Sequence, residues 1–230
     1  MDKEAQGENS SSQNVNFEVT HIERGAYGGA ATVGLSDGSS FFMHSEVIRE
    51  ISLQVGTVCS IDEISHIKAR SAVFLARDKA VEYLAAREYS SSEIVTKLMK
   101  KGYDKECSLE AVSLLEQRGY IDDERFAEMW VLSRLRKHPE GRSALAAGLY
   151  KKGISRSIIE NTLDDCFTDD IKEEALSRCL EKYLRTRSRE PKKVLNHLIR
   201  RGFRYADIKR HINGIEEFAE EKNLEITEYE

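Results

Sequence analysis

The chain has 230 residues, a third of them charged and two-fifths apolar, with a net charge of −5. No apolar run approaches the ~18 residues of a membrane span, and the four cysteines lack paired C-x-x-C spacing, which argues against a membrane protein, a disulfide scaffold or a paired-cysteine metal fold. The charge is uneven: residues 1–70 carry 5 basic and 10 acidic side chains, 71–213 carry 29 and 23, and 214–230 carry 1 and 7.

Residues 1–14 are polar, lack an apolar signal core and are predicted to be disordered. That start, with reduced thiols, predicts a cytoplasmic location. From Val15 apolar residues alternate with polar ones through Phe17 and Val19, and Asp37-Gly38 separates two apolar runs, a hairpin signal. Gly25, Gly28 and Gly29 mark a second turn; 45–51 reads as a short helix and 57–61 as a further strand. A small β-rich module is therefore expected over 15–61. Ser60 or Asp62 can cap a helix running towards Arg87, and Ser90-Ser91-Ser92-Glu93 has the form of a capping box.

Three basic-basic-glycine triplets follow: Lys100-Lys101-Gly102, Lys151-Lys152-Gly153 and Arg200-Arg201-Gly202. Each has a leucine four residues before its glycine (Leu98, Leu149, Leu198) and another fourteen before that (Leu84, Leu135, Leu184). A period near fifty means one supersecondary unit repeated. Aligning the glycines puts Pro191 opposite Arg142 and Ser91, at the first position of a helix, where a missing N–H does no harm. The predicted fold class is mainly α. Three tandem three-helix repeats (62–120, 121–167 and 168–213) form an elongated curved array, preceded by the β-rich module and followed by an acidic tail at 214–230.

Each triplet has the composition of a helix end, with glycine in the left-handed conformation and cations complementing the helix dipole. The same placement presents cations along the array, and Arg185, Arg187, Arg189 and Arg204 add to the third unit, the most cationic. Asp122-Asp123-Glu124 sits at a helix start, where acids cap N–H groups; this reading is preferred to a metal site. The six histidines do not cluster, and no phosphate loop, dinucleotide fingerprint or His-Glu-x-x-His motif occurs. No catalytic, metal or cofactor residue is assigned, and an enzyme is not expected.

The string Gly119-Tyr120-Ile121-Asp122-Asp123-Glu124-Arg125-Phe126-Ala127 resembles the signature of the RecX family, bacterial regulators of the RecA recombinase. Arg87, Ser90, Glu93-Ile94, Leu98 and Lys101-Gly102 match the family's order in the first unit, and Arg134, Gly141, Leu145, Leu149 and Lys152-Gly153 in the second. The resemblance covers about 62–213. It implies a protein that docks in the groove of the RecA–DNA filament and modulates ATPase, strand exchange and co-protease activity, with weaker, sequence-independent contact to single- or double-stranded DNA. Members are commonly basic overall, whereas this chain is acidic at its ends, and only some have a β-rich N-terminal module.

The expected binding face comprises Lys100, Lys101, Lys151, Lys152, Arg185, Arg187, Arg189, Arg200, Arg201 and Arg204 on a monomer without cofactor. Reversing Arg200 and Arg201 to glutamate is expected to weaken inhibition of RecA without unfolding the protein. The competing reading is a helical-repeat protein that binds DNA through its phosphates without RecA.

Overall fold

The structure, a computed structural model, describes residues 16–25, 29–187 and 189–213. The predicted disordered N-terminus, Gly28 of the glycine turn and the predicted acidic tail lie outside the described residues. The chain divides into two compact units. One holds 16–87 with Ile94–Tyr120, the other Glu88–Glu93 with the described residues from Ile121 onward.

The first unit begins with an antiparallel sheet of β1 (Asn16–Arg24), β2 (Ala30–Leu35), β3 (Ser40–His44) and β4 (Val58–Ser60), in the order β3-β2-β1-β4. The Asp37-Gly38 hairpin forms as predicted. Gly38 has φ +83°, and Ser39 N–H donates to Asp37 Oδ1 at 2.9 Å; hydrogen bonding from the Ser39 side chain, then from its N–H, holds the Asp37 carboxyl below its ordinary range. Alternation sends Val19, Val33 and Met43 inward, where they meet Val47 of α1 (Ser45–Glu50) and Ile64 and Phe74 of α2 (Ile61–Leu84). A capping box starts α2: Ser60 Oγ accepts from Glu63 N–H, and the Glu63 carboxylate accepts from Ser60 N–H at 2.7 Å.

A polar group built on the buried His44 and Arg77 ties α1 to α2. His44 Nδ1 accepts from Glu46 N–H at 3.1 Å, and its Nε2 lies 2.8 Å from Asp78 Oδ2. Arg77 donates to both Glu46 oxygens at 2.9 and 3.0 Å. The two pairs, His44 with Glu46 and Arg77 with Asp78, lie about 30 residues apart, so no motif announced the cluster.

Two helices complete the first repeat: α3 (Ser91–Lys100), whose first turn belongs to the second unit, and α4 (Lys105–Glu116), which packs on α2. Asp104 caps α4 through Cys107 N–H. Cys107, Ala111, Val112 and Leu115 take the inner face of α4, which leaves Leu109 48% exposed.

The second unit stacks α5 (Asp123–Lys137), α6 (Arg142–Tyr150), α7 (Arg156–Cys166), α8 (Asp169–Thr186), α9 (Pro191–Arg200) and α10 (Tyr205–Asn213). Its core runs continuously from Phe126, Leu145, Leu149 and Leu163 to Leu176, Leu198 and Ile208, so neither three-helix repeat buries its apolar face alone. Side-chain oxygens of Asp122, Ser155 and Thr168 cap α5, α7 and α8. Pro191 is the first residue of α9, as Ser91 and Arg142 are of α3 and α6, so the register read from the glycines holds.

Candidate partner-binding face

All three triplets close a second helix in the same way. Gly102, Gly153 and Gly202 have φ of +100°, +79° and +88°, a conformation that favours glycine. Their N–H groups donate to Met99 O, Tyr150 O and Ile199 O at 3.0, 2.9 and 2.8 Å. The next residue donates back to the carbonyl of Leu98, Leu149 or Leu198, each of which is buried.

In the second unit these helix ends are also joints between repeats. Ser90 precedes the first residue of α3, and its Oγ donates to Lys152 O at 2.7 Å. Gly141 precedes the first residue of α6, and its N–H donates to Arg201 O at 2.8 Å. Ser143 adds a bond from its Oγ to Gly202 O at 3.0 Å. Each joint sets the positive N-terminal end of one helix against the carbonyl end of the next repeat's helix, satisfying orphan groups on both sides.

The contact is close enough to require glycine for its size. A Cβ on Gly153 would lie 2.3 Å from Ser92 Cβ, and one on Gly202 would lie 2.4 Å from Ala144 N. Beside Gly102 there is open space within 4 Å.

The joints divide the predicted cations. Lys152 is half-buried and donates to Glu93 Oε1 at 2.7 Å. Arg201 donates to Pro139 O at 2.8 Å, and its Nη1 lies 3.3 Å from Glu140 Oε1. Glu140, 8% exposed, also takes a bidentate pair from Arg134 at 2.6 and 3.1 Å. Reversal of Arg201 would therefore strike the joint.

Lys100, Lys101, Lys151, Arg185, Arg187, Arg189, Arg200 and Arg204 are exposed. Arg200 extends along its own helix, with Nε donating to Asn196 O at 3.2 Å. Arg187, Arg200 and Arg201 converge electrostatically on His197; burial, then these cations, hold its imidazole below its ordinary range. Arg204 lines a cleft of about 360 Å³ with Arg142 and Lys172. There Arg142 pairs with Asp164 and Lys172 with Asp169, each at 2.6 Å. Lys151-Lys152 lies at the start of α3 and Arg201-Gly202 at the start of α6, so the two triplets are not one continuous patch. The 9 residues of α6 separate them, about 14 Å at ~1.5 Å per residue.

The string at 119–127 also proves structural. Asp122 caps α5 through Arg125 N–H at 3.0 Å. Asp123 accepts from Ser91 N–H and Oγ–H at 2.9 and 2.8 Å, capping α3 from another repeat. Arg125 reaches Glu88 at 3.3 Å, while Ile121, Phe126 and Ala127 are buried. Among the described residues, no group of three or more His, Cys, Asp or Glu is placed to hold a metal ion, and no helix is long and apolar enough to cross a membrane.

One recurrent feature escaped the sequence reading. The residue three before each glycine, Met99, Tyr150 or Ile199, is 47%, 74% or 44% exposed. The glycine alignment already held that signal, since all three are apolar or aromatic and sit beside a cation.

Residues 76–113 match the family model described as RecX, first three-helix domain, and 122–163 that described as RecX, second three-helix domain. A protein of Chlorobaculum tepidum is 32% identical over 134 residues, spanning 58% of this chain and 84% of its own length. One of Treponema pallidum is 34% identical over 124 residues, spanning 54% and 75%. Both are named regulatory protein RecX. A crystal structure of regulatory protein RecX superposes with a TM-score of 0.68 at 23% identity, over 84% of this chain and 99% of the other, and shows the shared fold.

Proposed function

Because this chain belongs to the RecX family of regulatory proteins, we propose that it regulates the RecA recombinase by lying in the groove of the RecA–DNA filament. In that position it restrains ATP hydrolysis, strand exchange and co-protease activity, and through them recombinational repair and the SOS response. It acts by binding rather than by chemistry.

The supporting observation is the exposed cation at one fixed position of every repeat: Lys100, Lys151 and Arg200. A cation recurring at a constant place suits a partner that itself repeats, and a filament is such a partner. Arg185, Arg187, Arg189 and Arg204 extend the cationic surface of the third repeat, and Lys101 that of the first. Lys152 and Arg201 contribute by holding the repeats in register.

A second reading, DNA binding without RecA, draws on the net positive charge of 71–213 and predicts steeply salt-dependent binding to naked strands. Co-sedimentation with preformed RecA–single-stranded-DNA filaments, with naked DNA as control, separates the two. The regulator sediments with filaments far below the concentration at which it binds naked DNA. Equal affinity for both would reject the RecA reading.

A further inference from the structure

At each triplet the helix turns one residue inward and the next two outward. Leu98, Leu149 and Leu198 are 0%, 0% and 1% exposed. Met99, Tyr150 and Ile199 follow at 47%, 74% and 44%, and then come the exposed cations Lys100, Lys151 and Arg200. Single exposed apolar side chains are ordinary on protein surfaces. The same exposure at the same place in three repeats, each time beside a cation, is not scatter. The closing turn needs only the main chain of these residues, because the glycine N–H bonds to their carbonyl oxygens. Their side chains keep 44–74% of their surface in solvent.

The pairing of types identifies the partner's chemistry. A cation asks for a carboxylate or a phosphate. Strand-tracking nucleic-acid surfaces set cations among aromatic faces on which bases stack, but methionine and isoleucine offer no such face, and only Tyr150 is aromatic. Apolar side chains next to a cation are the composition of protein–protein anchors, which fill recesses and are rimmed by polar contacts.

We infer that Met99-Lys100, Tyr150-Lys151 and Ile199-Arg200 form a repeated footprint for an acidic protein surface. The apolar member of each pair enters a recess and the cation meets a carboxylate at its rim. The inference rests on the RecA reading above and deepens it: the partner of this footprint is the protein of the filament, not its DNA. In the second unit the joint fixes two footprints about one α6 length apart, so partner sites on successive subunits are engaged in register.

The test uses the full chain in two double variants. Tyr150→Ser with Ile199→Ser removes the apolar members and keeps the cations. Lys151→Gln with Arg200→Gln does the reverse. Each is measured by sedimentation with RecA–single-stranded-DNA filaments, by anisotropy with naked single-stranded DNA, and by thermal unfolding.

The serine pair is expected to lose about ten-fold or more in filament affinity, as truncated interface anchors do, with unchanged melting and unchanged binding to naked DNA. The glutamine pair is expected to lose filament affinity as well. Filament binding unchanged in a folded serine variant overturns the footprint alone. A parallel loss on naked DNA overturns the assignment to protein. A parent protein that does not sediment with filaments overturns the RecA reading, and this footprint with it.

Discussion

Replacing Gly141 by alanine tests the joint without disturbing any unusual backbone. Gly141 has φ −79° and ψ 168°, which alanine adopts freely. The added Cβ would fall 2.1 Å from Gly202 O, 2.2 Å from Gly202 C and 2.4 Å from Phe203 N. All three are main-chain atoms and cannot swing aside as a side chain would. Overpacking of this kind costs about 1–3 kcal/mol, and alanine is a poorer residue than glycine before a helix by roughly 0.5 kcal/mol. Opening the joint to relieve the clash would weaken the 2.8 Å bond to Arg201 O and the 3.0 Å bond from Ser143 to Gly202 O, a further ~1 kcal/mol.

The expected total is about 3 kcal/mol, or roughly 6–12 °C in melting temperature at ~2–4 °C per kcal/mol. Differential scanning calorimetry reads it directly. Gly102→Ala is the comparison. It sits at φ +100° in open space, so only the left-handed conformation is penalised, by about 1 kcal/mol. A Gly141→Ala protein that melts with the parent would refute the joint as a packed contact.

Lys152→Met should cost about 1 kcal/mol in urea unfolding, because it removes the 2.7 Å bond to the mostly buried Glu93 carboxylate; Lys151→Met, on the exposed side, should cost nothing measurable. Glu140→Ala removes the partner of both Arg134 and Arg201, and should lower stability by about 2 kcal/mol, discounted for the partial exposure of both arginines. The depressed His197 sets a pH dependence. As pH falls below its ordinary value of 6.5, the unfolded chain takes up a proton that the folded imidazole resists, through its burial first and then through Arg201, Arg200 and Arg187. Stability is then lost with a limiting slope of about 1.4 kcal/mol per pH unit, down to the folded pKa. His197→Gln should remove that component of the slope, and an unchanged profile would reject the assignment.

Much of the fold was legible because it is written locally. Asp37-Gly38, Ser60, Pro191 and the three triplet glycines each act within a few residues, and each performs its predicted backbone role. What sequence could not supply was the partner across 59–62 residues. Nothing beside Lys152 announces Glu93, and nothing beside Arg201 announces Glu140 or Pro139. Charge alone does not tell which cations are held at a joint, since that is decided by packing between repeats. Asp123 shows the converse. It reads as one more acid at a helix start, yet it serves a different helix from the one it begins.

The joint also gives the array a direction and an end. Each internal connection needs a small residue on the receiving helix, Ser92 in one case and Ser143 in the other, to admit the incoming glycine. The corresponding place on α9 is Lys192, an exposed lysine followed by another. A further repeat, or the Lys100-Lys101-Gly102 end of a second molecule, would meet bulk and like charge where the working joints offer a hydroxyl. Lys192 and Lys193 thus close the start of α9 to a joint of this kind by their chemistry. A duplicated fourth repeat would require Lys192 to become small before it could be received.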